Sequence, residues 1–244
     1  QDYGEADRIL TLLTPGGKRT ALAKGIRRPT SRQAGQLGLF YRARMMLAQG
    51  HTFAIVAQAE SLETYEGLRG DLLRFTYACY AAELVDRFAQ EDEESATLYD
   101  LVAEGLGWFA QEADLRLWMR CFEVQLLRLA GYQPGLHRCV GCQAELQAVP
   151  NWFSSAQGGV LCPRCGGVDP SARSISVNAQ KVLRYLQAHG PLELRGLRLH
   201  ESSQAEVEGL LQGYIQYLLE RELKSVTFLR HLRNELHTLE QRGS

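Results

Sequence analysis

The chain has 244 residues, of which 45% are hydrophobic and 23% charged, as expected for a globular protein of about two or three small domains. It contains no apolar run near the ~18 residues of a membrane-spanning helix, and its polar start lacks the apolar core of a signal peptide, which predicts a cytosolic protein. The net charge of −1 conceals an asymmetry, because residues 1–50 carry nine Lys or Arg against three Asp or Glu, whereas residues 51–130 carry six against fifteen.

The first 60 residues have the alternation and the turn residues of short β-strands. One strand is predicted over residues 8–14 and a second over 19–24, separated by a Pro-Gly-Gly-Lys turn, which is the pattern of a hairpin. Two more strands are predicted over 39–47 and 52–57. Because a small closed barrel needs about five strands, we expect the missing one to lie upstream of the first residue, which is not Met.

The connection between the second and third predicted strands is strongly basic. Arginine presents a rigid fork to phosphate oxygens and lysine a mobile charge, while Gly25 and Pro29 keep the segment in a loop. Together with the charge asymmetry, this pattern predicts a surface that contacts nucleic-acid phosphates, although two solvated faces of different charge are the alternative. The predicted contacts are Lys24, Arg27, Arg28 and Arg32, joined by Lys18, Arg19, Arg42 and Arg44 if the strands form one sheet.

Two aromatic residues, Phe40 and Tyr41, lie at the start of the third predicted strand. Unpaired bases stack on aromatic side chains, and small β-barrels often bind single strands, so both residues are candidates for stacking on bases. For either residue taken alone, packing in the protein core is the favoured interpretation.

From residue 72 onwards the apolar residues recur with the period of an amphipathic helix. Helices are predicted over 72–88, 97–110 and 114–130, the last ending at a glycine, and again over 177–188 and 203–220. Ser202 and Ser203 are predicted to cap the last of these, with Glu206 as the capping-box partner.

Four of the six cysteines form two C-x-x-C pairs with nineteen residues between them. Two intervening residues turn the chain so that both sulfurs face one ion, and four thiolates suit tetrahedral Zn²⁺ with Zn–S distances of about 2.3 Å. Four thiolates also fill the coordination shell, whereas a catalytic zinc keeps a position open. The spacing therefore predicts one structural Zn²⁺, held by Cys139, Cys142, Cys162 and Cys165.

The two C-x-x-C pairs have several alternatives to a zinc site. A redox-active C-x-x-C pair requires a thioredoxin-like βαβ context, which the surrounding pattern lacks. A single iron in the same four-thiolate geometry, and a degenerate loop without metal, are the other possibilities, and His137 lies close enough in sequence to substitute as a ligand. The remaining cysteines, Cys79 and Cys121, are interpreted as small buried residues. Loss of the metal is expected to unfold this segment first.

No motif for covalent chemistry is present. The Gly17-Lys18 pair lacks the earlier glycine and the following Ser or Thr of a phosphate-binding loop. There is no dinucleotide fingerprint after a strand, no H-E-x-x-H and no nucleophile elbow. The sequence therefore predicts a protein that is not an enzyme.

A set of short motifs, each weak alone, occurs in a specific order. It comprises residues 2–14, Lys24-Gly25 with Arg27-Arg28 and Ser31-Arg32, residues 128–134, the two C-x-x-C pairs, and Leu223-Lys224-Ser225. In order and spacing these motifs resemble the bacterial RecO family of recombination mediators, over nearly the whole chain. The resemblance implies an α+β protein with an N-terminal OB-fold β-barrel over residues 1–68, a helical C-terminal domain in two parts, 69–136 and 171–244, and an inserted four-cysteine zinc ribbon over 137–170. Because the family begins with one more strand, the resemblance also implies that the first strand is missing.

The resemblance further implies a function in DNA repair and recombination in the bacterial cytoplasm, in association with the nucleoid. Members of the family bind single- and double-stranded DNA, anneal complementary strands, and associate with RecR and with the acidic C-terminal tail of single-stranded-DNA-binding protein. They help to load RecA on coated strands and perform no covalent chemistry. Arg116, Arg120 and Arg128 have a spacing that suits the acidic tail, although pairing within their helix explains them equally well. The alternative function is that of a zinc-ribbon interaction scaffold that does not bind DNA.

Overall fold

The computed structural model describes residues 1–89, 94–220 and 223–243. The chain forms two compact units, an N-terminal unit, Gln1–Gln111, and a C-terminal unit, Glu112–Ser244. The finer division at residues 68, 136 and 170 stays a prediction. None of the described helices is both long enough and apolar enough to cross a membrane.

The N-terminal unit contains a five-stranded sheet. In chain order its strands are β1 (Asp2–Tyr3), β2 (Asp7–Thr14), β3 (Gly17–Ala23), β4 (Arg42–Ala48) and β5 (Ala54–Glu63). They are arranged β1-β2-β3-β5-β4, and every neighbouring pair is antiparallel except β3 and β5, which are parallel. This is the Greek-key strand order of an OB-fold, and it confirms the predicted fold class.

The predicted hairpin is confirmed, and its register follows from the turn. Gly17 has a φ of 98°, a conformation that glycine adopts without strain, and it pairs with Thr14. From there the small residues of β3 face inward, and Ala21 and Ala23 form the core of the sheet with Ile26 and Val56.

The prediction of only four strands in the described chain was wrong. A short fifth strand, β1, pairs Asp2 with Arg8 and Tyr3 with Asp7. Two residues are too few to show a period, which is why the pattern did not reveal this strand. The third predicted strand begins later than expected, at Arg42, because Phe40 adopts a positive φ of 64° that interrupts extended backbone.

Three helical segments complete the N-terminal unit: a 3-10 helix (Glu66–Leu68), α1 (Leu72–Phe88) and α2 (Ala96–Gln111). The predictions for α1 and α2 are confirmed. The carboxylate of Asp71 caps α1 by accepting from the backbone N–H groups of Leu73 and Arg74. The two helices pack through aromatic rings, with Tyr77 and Phe109 stacked at a centroid distance of 6.2 Å.

The C-terminal unit contains helices that flank a small three-stranded sheet. In chain order its elements are α3 (Leu115–Leu129), β6 (Asn151–Ser154), β7 (Gly159–Leu161), α4 (Pro163–Gly166), β8 (Arg173–Ile175), α5 (Val177–Ala188), α6 (Pro191–Leu194), α7 (Glu201–Leu219) and α8 (Lys224–Gly243). Helix α3 lies at the centre, since most of its side chains are buried and it packs against both α5 and α7.

The predictions for α3, α5 and α7 are confirmed, but the predicted capping box of α7 was wrong. The helix begins at Glu201, and the side chain of His200 caps it by accepting from the backbone N–H of Ser202. Glu206 instead accepts hydrogen bonds from Ser176, at the start of α5. Helix α8 was not predicted, and of its described side chains only Leu229 and Leu232 are buried.

Candidate functional site

The four cysteines of the two C-x-x-C pairs lie together in the C-terminal unit. Their Sγ atoms all lie within 4.8 Å of one another, and those of Cys142 and Cys162 are 3.8 Å apart. A tetrahedral Zn²⁺ with Zn–S distances of about 2.3 Å places its sulfurs about 3.8 Å apart. The cluster therefore has the donor type and the dimensions of a four-thiolate metal site.

Tight turns bring the four sulfurs together. In the first pair, Gln143 adopts a positive φ of 61° and its N–H donates to the carbonyl of Cys139 at 2.8 Å. In the second pair, Cys162 directly follows β7 and precedes the single turn of α4, and the N–H of Cys165 donates to the Cys162 carbonyl at 3.0 Å. A Cβ on Gly141 would lie 3.4 Å from the sulfur of Cys165, so the backbone of the first turn approaches the second closely.

The surroundings of the sulfurs favour a thiolate at Cys139 and disfavour one at Cys165. Burial alone would raise the pKa of the Cys139 thiol, but backbone N–H groups of Cys162, Cys142 and Gly141 donate to its sulfur and lower that pKa to about 6. Hydrogen bonds shared with the other three sulfurs raise the pKa of Cys165 to about 12. Four thiolates this close repel one another, so complete deprotonation of the cluster requires a bound cation.

Side chains of α5 hold the polypeptide on the N-terminal side of the cluster. The carbonyl of Leu136 accepts from Gln180 Nε2 at 2.9 Å and from Arg184 Nε and Nη2 at 2.9 and 2.7 Å. Gln180 also accepts from Asn151 Nδ2 at 2.9 Å, which connects α5 to strand β6. Both Gln180 and Asn151 are buried, so these polar contacts are shielded from water.

The other side of the cluster leads directly into α5. Strand β8 ends at the buried Ile175, and the next residue, Ser176, caps α5 by accepting from the N–H of Ala179. The carboxylate of Glu206, on α7, accepts from the Ser176 N–H at 2.6 Å and from its hydroxyl at 2.7 Å. The fold around the cysteine cluster is therefore continuous with the first turn of α5.

The four residues predicted first for phosphate contact lie in one loop of the N-terminal unit. This basic loop, residues 24–32, joins β3 to the segment before β4 and is anchored at Ile26, which is buried in the sheet core. Lys24, Arg28 and Arg32 are exposed, and within the described residues none of the three forms an ion pair. The guanidinium of Arg27 lies 3.4 Å from the carboxylate of Asp2.

The basic loop is held at its base by a carboxylate. Gly25 has a φ of 64°, and its N–H donates to Asp7 Oδ1 at 2.7 Å. The Arg27 N–H donates to the carbonyl of Ala6 at 2.9 Å. These two contacts join the loop to the start of β2, so its exposed guanidinium groups project from a fixed backbone.

The four residues predicted to join the loop have other contacts. Lys18 Nζ lies 3.1 Å from Asp86 Oδ1 of α1, and Arg42 Nε donates to the Tyr99 hydroxyl of α2 at 3.2 Å. Arg19 donates to the carbonyl of Gly16, and the exposed Arg44 lies 3.4 Å from Glu60 on the neighbouring strand. Lys18 and Arg42 therefore connect the sheet to the helices of the N-terminal unit, while Arg44 lies in a strand-to-strand ion pair.

Both aromatic candidates pack against helical segments. The ring of Phe40 lies 5.4 Å from that of Phe75, and the guanidinium of Arg69 lies 4.8 Å from the centroid of Tyr41. These contacts favour the packing interpretation for both residues.

The three arginines considered for an acidic partner have different environments. Arg116, on α3, contacts the carboxylates of Glu201 and Glu208, and Arg120 is buried beside Glu123 at 3.0 Å. Arg128 donates to the Gln125 side chain. Arg120 is therefore inaccessible to a partner.

A cavity of about 350 Å³ lies in the C-terminal unit, between α7 and α8. Its wall combines basic and apolar side chains, among them Arg116, Arg230, Arg233, Val226 and Leu229. Glu208 in the same wall contacts Arg233 at 2.6 Å and Arg116 at 3.1 Å. Burial alone would raise the pKa of its carboxyl, but the positive charges of Arg120, Arg233 and Arg116 hold that pKa below the ordinary value. Sequence reasoning missed Arg230 and Arg233 because α8 was not predicted.

Comparison with known proteins assigns the chain to a family. The model described as recombination protein O N terminal matches residues 1–65, and that described as recombination protein O C terminal matches residues 69–227. The DNA repair protein RecO of Roseiflexus sp. (strain RS-1) is 43% identical over 238 residues, which are 97% of this chain and 84% of that protein. Those of Desulforudis audaxviator and Symbiobacterium thermophilum are 40% and 36% identical, over 93% and 96% of this chain and 91% and 94% of their own lengths. The chain belongs to the RecO family.

Proposed function

We propose that this protein is a recombination mediator of DNA repair, and not an enzyme. It binds single- and double-stranded DNA, anneals complementary strands, and helps to load RecA on strands coated by single-stranded-DNA-binding protein. The observation that carries the proposal is the basic loop, in which Lys24, Arg28 and Arg32 project from an OB-fold sheet without an ion-pair partner among the described residues. The family membership and the names of the relatives, DNA repair protein RecO, point to the same process.

The mechanism rests on contacts to the phosphates of one strand. Side chains that bind the backbone do not occupy the base edges, so a strand held in this way keeps its bases available for pairing with a complement. Lys24, Arg27, Arg28 and Arg32 supply these contacts. Lys18, Arg19, Arg42 and Arg44 are secondary, because Lys18 and Arg42 are already engaged with α1 and α2.

The protein partners in this proposal are RecR and the acidic C-terminal tail of single-stranded-DNA-binding protein. The cavity between α7 and α8 supports the second, because an acidic, partly apolar peptide matches guanidinium groups beside aliphatic side chains. Arg230 is exposed at this cavity, Arg233 and Arg116 both contact the carboxylate of Glu208, and Arg116 also contacts Glu201.

We also propose that Cys139, Cys142, Cys162 and Cys165 hold one structural Zn²⁺. The ion supplies folding free energy to a segment with little apolar core of its own. Its four protein ligands leave no position for substrate.

The test of DNA binding is fluorescence anisotropy of a labelled single-stranded oligonucleotide at several salt concentrations. If four phosphates are contacted, the slope of log affinity against log salt is about −3, from roughly −0.7 per contact. A variant with Lys24, Arg27, Arg28 and Arg32 all changed to Glu then binds far more weakly.

A matched pair of variants separates local contact from net charge. Arg28→Glu with Arg32→Glu, and Lys181→Glu with Arg198→Glu, make the same change in charge, and all four residues are exposed. We expect only the first pair to weaken binding strongly. Equal losses would place the DNA elsewhere, and an unmodified protein that binds no DNA would favour the scaffold alternative.

A further inference from the structure

Two arginines of the N-terminal unit converge on one carboxylate. Arg8 Nε lies 3.0 Å from Asp2 Oδ1, and Arg27 Nη1 lies 3.4 Å from Asp2 Oδ2. The three residues come from β1, β2 and the basic loop, so the sheet itself brings them together. Each guanidinium thus contacts a different oxygen of the Asp2 carboxylate.

This geometry follows from the strand register. Asp2 and Arg8 are directly opposite each other in the β1–β2 pair, and Arg8 is opposite Ala23, the last residue of β3 before the basic loop. The hydrogen bond from the Arg27 N–H to the Ala6 carbonyl holds the loop against the same end of β2. Arg8 therefore belongs to the same surface as the basic loop, although it lies 16 residues before Lys24 in the sequence.

The arrangement is one that also suits a phosphodiester. Its two non-bridging oxygens present the same pair of acceptors as a carboxylate, and guanidinium groups bind either anion. All three side chains are partly exposed, at 44% for Arg8, 39% for Arg27 and 52% for Asp2, so a ligand from solvent reaches them. The hydrogen bond from Arg8 lowers the pKa of Asp2, which agrees with an anion held between cations.

We propose that Asp2 occupies a phosphate position in the free protein, and that a phosphodiester of bound DNA displaces it from Arg8 and Arg27. Arg8 is then a further DNA-contacting residue, and Asp2 an intramolecular competitor that weakens binding. This inference rests on the proposed DNA binding by the basic loop. Because exposed ion pairs contribute little to stability, the carboxylate is displaced at small cost.

The experiment compares Asp2→Asn with Glu5→Gln in the oligonucleotide titration. Glu5 is exposed in the same β1–β2 segment and forms no ion pair among the described residues, so both variants remove one negative charge from one neighbourhood. We expect Asp2→Asn to raise affinity about threefold, as the loss of two weak, exposed competing ion pairs allows, and Glu5→Gln to change it much less. Equal gains in affinity from the two variants would contradict the proposal that Asp2 competes with DNA for the two arginines.

Arg8→Gln gives the second measurement. We expect it to weaken binding, to reduce the salt slope by about 0.7, the value of one contact, and to make the gain from Asp2→Asn smaller when the two changes are combined, because only Arg27 is then released. Thermal unfolding of each variant shows whether the sheet is intact. If the unmodified protein binds and Arg8→Gln has no effect, the inference fails while the proposed function stands. If the unmodified protein does not bind, both fail.

Discussion

Two adjacent glycines of the second cysteine turn have opposite surroundings. A Cβ built on Gly166 would lie 2.1 Å from Cγ and 2.4 Å from Cβ of Trp152, whereas the nearest atom to a Cβ on Gly167 is the Pro163 carbonyl oxygen at 3.5 Å. Gly166 is buried beneath the indole, and Gly167 is exposed. Only the first position requires the absence of a side chain, because the backbone of α4 packs directly on the ring.

This difference predicts that Gly166→Ala destabilises the cysteine segment, residues 137–170. We expect a loss of about 1–3 kcal/mol, since the added methyl group displaces Trp152 from a packed position. The measurements are chemical unfolding and the zinc content retained against a chelator. Gly167→Ala is the control, with an expected change within about 0.5 kcal/mol. Similar losses in the two variants would contradict the packing argument.

At the scale of elements, α5 is joined to both ends of the cysteine segment, residues 137–170. Helix α5 donates from Gln180 and Arg184 to the Leu136 carbonyl before the cluster, and its cap, Ser176, follows β8 after the cluster. The sequence led us to expect that this segment would unfold first on loss of metal. These contacts add that the first turn of α5 opens with it, because Gln180 and Arg184 then lose their shared acceptor, the Leu136 carbonyl, and Ser176 loses the strand that precedes it.

Removal of one ligand tests this coupling. We expect Cys142→Ser to lower the zinc content and to remove hydrogen-exchange protection both from β6–β7 and from the first turn of α5. Cys79→Ser is the control, because Cys79 lies in α1, outside the cluster, and its replacement leaves the metal bound. Protection that is lost from the strands but retained at the start of α5 would show that the two elements unfold separately.

At the scale of the whole molecule, the proposed DNA and peptide sites belong to different units of the chain. The basic loop lies in Gln1–Gln111, and the cavity between α7 and α8 lies in Glu112–Ser244. The cations of the loop project toward solvent, whereas two of those at the cavity, Arg116 and Arg233, contact the carboxylate of Glu208. The first arrangement suits a long polyanion bound in a salt-dependent way, and the second suits a short acidic segment with apolar side chains.

If the two sites are separate, a substitution in one of them is expected to weaken the binding of only one ligand. We expect Arg230→Glu to weaken the binding of a synthetic peptide with an acidic C-terminus at least tenfold, which corresponds to about 1.4 kcal/mol or more. The reason is that an attraction is lost and a repulsion is gained. We expect the same variant to leave oligonucleotide binding nearly unchanged. We expect Arg28→Glu to weaken oligonucleotide binding and to leave peptide binding nearly unchanged. Both ligands are measured by anisotropy with each variant. Loss of both ligands in either variant would indicate one shared site.

Features that depend on residues close together in the chain could be predicted from the sequence. The two C-x-x-C pairs, the turn that joins β2 to β3 and the periodic apolar positions of α1, α2, α3, α5 and α7 are local patterns, and the structure contains the cysteine cluster and all of these elements. The order of short motifs indicated the family for the same reason. Helix α8 and the two-residue β1 were missed, because few of the described α8 side chains are buried and β1 is too short to show a period.

Which cations face solvent was decided only by the tertiary structure. Lys18 and Asp86 are 68 residues apart, yet they form an ion pair, and Arg116 meets Glu208 across 92 residues. The convergence of Arg8 and Arg27 on Asp2 likewise depends on strand register. A sequence pattern shows that a segment is basic, but the charge available to a ligand depends on which carboxylates the fold places beside it, and that is set by packing between distant elements.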